Sequence, residues 1–123
     1  MSGKELITMS VKFMFNGREF IIYPAKYSNN NNLALLFRRE EDDESDYYGV
    51  ISVNTALTLP NNMAAIKDYN ENEGILEALI SQSIITGPVR YISSGYVSIP
   101  IVKVVHKELL GEITKYYKEH GAS

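Results

Sequence analysis

Residues 86–104 read TGPVRYISSGYVSIPIVKV, a tight turn, a strand, a small-residue break and a second strand. Gly87-Pro88 stops any helix that precedes it, because proline cannot continue one and glycine suits a C-terminal break. Val89 to Ile92 and Tyr96 to Val105 then read as strands, rich in β-branched and aromatic residues. Between them Ser93-Ser94-Gly95 reads as a flexible break. Pro100 has no N–H to donate, which predicts an edge position or a bulge for the second strand. Immediately upstream, Ile75, Leu76, Leu79 and Ile80 recur at helical spacing within Glu73 to Ile84. Asn72 suits the N-cap of that helix, with Glu73 and Glu77 favoured near its positive end. Downstream, Leu109, Leu110, Ile113, Tyr116 and Tyr117 mark an amphipathic C-terminal helix closed by Gly121.

The N-terminal half is strand-like. Val11, Phe13 and Phe15 alternate with Lys12 and Met14, Asn16-Gly17 turns the chain, and Glu19 to Tyr23 returns it. Asn-Gly between alternating runs signals a hairpin, since both central residues of a type I′ turn need positive φ. Pro24 places the returning strand at an edge or ends its regular pairing. Asn29 to Asn32 form a polar loop, Leu33 to Phe37 a third strand apolar on both faces, and Tyr47 to Thr55 a fourth. Between these strands lies EEDDESD, residues 40–46, in which six of seven side chains are carboxylates. Their mutual repulsion predicts a solvated hairpin tip. Around Ala64 to Lys67 the pattern fits either irregular chain or a short strand. The expectation is an α+β domain: an antiparallel sheet of about five to six strands with one internal helix and one C-terminal helix. We read residues 1–123 as a single domain with its core in about residues 10–119.

Bulk composition narrows the function. A net charge of −3 offers no cationic field for nucleic acid or an anionic membrane. The absence of cysteine removes disulfides, thiolate nucleophiles and cysteine-ligated metals, and fits a reducing cytoplasm. The N-terminus has no basic region leading into an apolar run, so no signal peptide is expected, and no apolar run approaches the ~20 residues of a membrane helix. Abundant Asn, Ile, Lys and Tyr suit an AT-rich genome.

Catalytic motifs are hard to find. His106 sits at a strand–helix junction and His120 in a final helical turn, both ordinary positions, and no second histidine stands at metal-ligand spacing. The serines fall in no nucleophile elbow or S-x-x-K pattern, and the glycines form no phosphate-binding motif. A carboxylate acid–base pair stays open, with nothing to single one out. We therefore expect no catalytic residues, no cofactor and no metal.

The candidate contact residues are of two kinds. Glu40, Glu41, Asp42, Asp43, Glu44 and Asp46 allow three readings: a solvated loop, a Ca²⁺ or Mg²⁺ site without EF-hand periodicity, or a mimic of a phosphate backbone. Tyr47, Tyr48, Arg90, Tyr91 and Tyr96 are the aromatic and cationic candidates, because tyrosine buries a ring while keeping a hydroxyl to bond. Exposed tyrosines on one face would make a partner-binding surface or a homodimer interface. Arg38, Arg39 and Arg90 could alternatively hold the phosphate of a nucleotide whose base stacks on tyrosine.

KYSNNNNLALLF (26–37), YYGVISVN (47–54), LPNNMAAIKDYNEN (59–72) and ITGPVRYISSGYVSIPIVKV (85–104), with the Asn-Gly hairpin before them, resemble a family of small uncharacterised domains. That family is carried by phages, plasmids and conjugative elements of Firmicutes, and the resemblance covers most of residues 10–105. It attaches no catalytic motif. What it implies is context: small acidic proteins of mobile elements often inhibit host defence, anti-CRISPR proteins among them. The expected function is thus a non-enzymatic cytoplasmic inhibitor that blocks a nucleic-acid-handling host protein sterically or by acidic mimicry. The alternatives are a small-molecule or nucleotide-sequestering module and a carboxylate-dependent enzyme.

Overall fold

The computed structural model describes residues 11–39 and 49–120. In chain order the elements are β1 (Val11–Phe15), β2 (Arg18–Lys26), β3 (Leu33–Arg39), β4 (Gly49–Val50), β5 (Met63–Ala65), α1 (Ile75–Ser81), β6 (Arg90–Ser94), β7 (Val97–Lys103) and α2 (Lys107–Glu119). A short 3-10 turn, Asn70–Asn72, precedes α1. The fold is α+β and its ladders are antiparallel, as expected. The described strands number seven in two sheets, β1-β2-β3-β4 and β5-β7-β6, where one sheet of five or six was expected. Both helices feed the principal core, Ile75 and Leu79 from α1 and Leu109, Ile113 and Tyr117 from α2.

The opening hairpin forms as its sequence predicts. Asn16 and Gly17 both take positive φ (54° and 78°), and Phe15 pairs with Arg18 across the turn. That register sets Phe13 opposite Phe20 and brings Phe37 edge-on to Phe20, with ring centroids 5.0 Å apart. Gly49 is required here, because a Cβ would lie 2.9 Å from the Phe37 ring. Pro24 lies within β2, which is an inner strand, but past the residue that pairs with Val11.

The second sheet arises at Ser52. Ile51 and Ser52 both direct their N–H groups at the Leu35 carbonyl (2.8 and 3.4 Å), the pattern of a bulge. The Leu35 N–H donates instead to the Ser52 hydroxyl oxygen at 3.0 Å, and that hydroxyl also meets the Tyr27 hydroxyl at 3.0 Å. A side chain thus replaces a ladder partner, and the backbone swings away. Beyond this point Val53 donates to the Ala65 carbonyl and Lys67 to that of Ile51. The fourth strand expected over Tyr47 to Thr55 is therefore broken: Gly49–Val50 pair with β3, while Ser52 bridges to Ile66 beside β5.

The start of α1 differs from expectation as well. Gly74 is its N-cap, with φ of 94° and no side chain to offer. Asp68 caps it from a distance, its carboxylate accepting from the Gly74 and Leu76 N–H groups at 3.1 and 3.0 Å. Asn72, expected at the cap, is buried and donates to the Val50 carbonyl at 2.6 Å. His106 is the N-cap of α2, accepting from Leu109 N–H. Burial pushes the Tyr117 phenol up to about 12, so its hydroxyl stays protonated and donates to the Asn31 carbonyl at 2.7 Å. Among the described residues no helix is long and apolar enough to cross a membrane.

Candidate functional site

The β6–β7 hairpin carries the most exposed aromatic surface among the described residues. Ser94 pairs with Val97, leaving Gly95 and Tyr96 as a two-residue loop, with Gly95 at φ 64°. Glycine followed by any residue suits such a loop, so the Ser93-Ser94-Gly95 break is a tight turn at Gly95-Tyr96, with Ser93 and Ser94 still in the strand. The second loop position throws the Tyr96 ring entirely into solvent (108% exposed). Tyr96 therefore belongs to the turn, and β7 begins one residue later.

Alternation along β6 separates residues that the sequence groups together. Arg90 and Ile92 pair with Ile101 and Ile99 on one face, whereas Tyr91 pairs with Pro100 on the other. Tyr91 is 59% exposed. Arg90 is exposed, and no side-chain hydrogen bond or ion pair engages its guanidinium among the described residues. Pro100 occupies the central strand, contrary to the edge position or bulge expected for it. Its carbonyl accepts from Ile66 N–H, so its missing donor also points toward β5, where that short strand has ended.

On the Arg90 face lies a groove of about 630 Å³. Its floor is Ile92 and Ile99, and its far wall is the chain from Asn54 to Leu57. Four asparagines fix that wall. Asn30 donates to the Asn54 side chain (3.1 Å) and the Thr55 carbonyl (2.9 Å), and Asn54 donates to the Asn29 side chain (2.9 Å). Buried Asn32 donates to the Leu57 carbonyl (2.6 Å) and accepts from Leu59 N–H (2.9 Å). The wall is held without any regular secondary structure of its own, and satisfied side-chain amides keep it rigid.

Arg38 and Arg39 lie on β3 in the other sheet, paired with Ile21 and Phe20, and neither lines this groove. The structure thus does not gather the three arginines around one phosphate. Glu40 to Asp46, Tyr47 and Tyr48 lie outside the described residues. A second concavity of about 570 Å³ is lined by Phe15, Arg18, Lys67 and Glu71. Lys67 meets Glu71 there at 2.6 Å, which holds the Glu71 carboxyl below its ordinary range. One of its cations is thereby engaged, unlike Arg90. Among the described residues no cluster of His, Asp and Glu could hold a metal ion.

Sequence reasoning missed Asn29, Asn54, Ile92 and Ile99 as parts of one groove. The asparagine run was visible as a polar loop, but its partners lie some 25 residues away. Comparison with protein-family models, curated proteins and solved structures finds no match.

Proposed function

We propose that this is a non-enzymatic binding protein whose principal contact is the β6–β7 hairpin. The observation that supports it most is Tyr96, a full aromatic side chain held in solvent by a two-residue turn, with exposed Tyr91 and unpaired Arg90 nearby. Tyrosine and arginine dominate the energetics of protein interfaces, because a large ring or a planar guanidinium gains most when a partner removes it from water. The acidic segment Glu40 to Asp46 is the second contact, on the strength of its sequence: six carboxylates suit a basic, nucleic-acid-binding surface on the partner. On this reading the chain blocks a host nucleic-acid-handling defence protein on behalf of a mobile element.

The test is capture of partners from a low-GC Gram-positive lysate by the parent and by two variant proteins. Tyr96→Ala should weaken capture about tenfold or more. Joint neutralisation of Glu41, Asp42, Asp43 and Glu44 should abolish it while leaving the melting temperature almost unchanged. Equal capture by all three would overturn the proposal.

A second reading, a module that sequesters a small anionic molecule, draws on the groove itself, which has the dimensions of a ligand site and an unpaired guanidinium. Native mass spectrometry of the purified protein separates the two, since a retained small mass favours sequestration.

A further inference from the structure

Among the described residues no strand pairs with the outer edge of β6. Because the Pro100 carbonyl faces Ile66, just past the end of β5, Ile99 and Ile101 face β6, and Val89 N–H indeed reaches the Ile101 carbonyl at 2.8 Å. The register then turns the backbone groups of Ile92 toward β7 and those of Tyr91 and Ser93 away from it. Among the described residues nothing takes up those outward N–H and C=O groups. Ser93 also lines the groove, although alternation puts its side chain on the other face. Arg90 and Ile92 point to the groove side, one unpaired cation followed two residues later by an apolar side chain.

We propose that β6 accepts an extended acidic segment of a partner protein as an added strand. Tyr91 and Ser93 supply the main-chain hydrogen bonds; Arg90 takes a carboxylate, and Ile92 and Ile99 take an apolar side chain two positions along it. Main-chain pairing gives affinity in such complexes, and the alternate side chains give specificity. Charge complementarity selects this occupant over a second copy of the chain. Two copies joined antiparallel about Ile92 would set Arg90 against Ser94 and leave the guanidinium without a carboxylate. The inference rests on the reading of the β6–β7 hairpin as a contact surface and names the partner chemistry that surface takes.

The probe is a short capped peptide with threonine at alternate positions and glutamate and valine at successive groove-facing ones, beside a counterpart carrying lysine for glutamate. Titration calorimetry should show binding of the glutamate peptide, with the Tyr91 and Ser93 amides slowed in hydrogen exchange when it is bound. Arg90→Glu should cost about tenfold or more in affinity and transfer the preference to the lysine peptide. Ser93→Pro, which removes an outward donor and spares the ladder to β7, should abolish binding; if it misfolds, the exchange measurement on the parent protein decides. No binding at millimolar peptide, or binding indifferent to the charge at Arg90, overturns the proposal. So does a doubled mass with Tyr91 and Ser93 protected in the absence of peptide, which would give the edge to a second copy. If the peptide fails while Tyr96→Ala still weakens partner capture, the added strand falls and the hairpin surface stands. If capture is indifferent too, both fall.

Discussion

Among the described residues β1 is an edge strand of the first sheet and β6 of the second, and these two edges are finished in opposite ways. At β1 the side-chain amide of Gln82 pairs with Met14 as a neighbouring strand would, accepting from its N–H at 2.8 Å and donating to its carbonyl at 2.7 Å. A single residue past the end of α1 thus blocks a template for unwanted pairing. At β6 no such cap exists among the described residues, and the strand adds exposed Tyr91, unpaired Arg90 and a groove with a rigid wall. Open edges invite aggregation, and proteins usually blunt them. The proposed contact role of the β6–β7 hairpin draws on this contrast, because among the described residues one edge is capped and the other carries exposed aromatic and cationic side chains.

The contrast can be broken most strongly through the core beneath the closed edge. Phe13→Ala, which removes a fully buried ring from β1, should cost about 3–5 kcal/mol in chemical denaturation. Asn32→Ala should cost about 2–3 kcal/mol, because the Leu57 carbonyl and Leu59 N–H lose their partner in a half-buried place. It should also loosen the groove wall and weaken any ligand there. Gln82→Ala should cost about 1–2 kcal/mol and turn β1 into a second open edge, visible as concentration-dependent association in light scattering. Tyr91→Ala should change stability by no more than about 0.5 kcal/mol while weakening partner capture. A large stability loss there would mean that Tyr91 serves the fold.

Local signals in the sequence were enough for the hairpin at Asn16-Gly17, both helices and the fold class, because turn chemistry and periodicity act over a few residues. What escaped was set by distant partners. Ser52 looks like any strand serine until its hydroxyl is seen replacing a ladder bond to Leu35, which ends one sheet and begins another. Asn72 has the right chemistry for a cap, yet Val50 claims its side chain and Asp68 serves α1 instead. Arg90, Tyr91 and Tyr96 were legible as exposed candidates, but the register of β6 on β7 distributes them over two faces and a turn. Gln82 gave no signal, since its partner Met14 is 68 residues away.

Residue-resolved amide hydrogen exchange on the free protein compares the two edges within one experiment. The Met14 amide, held by Gln82, should be slowed, beside Tyr91 and Ser93 amides that exchange almost as fast as in an unfolded chain. Protection of Tyr91 and Ser93 equal to that of Met14 would mean that the β6 edge is already covered, and would contradict its proposed role as a contact.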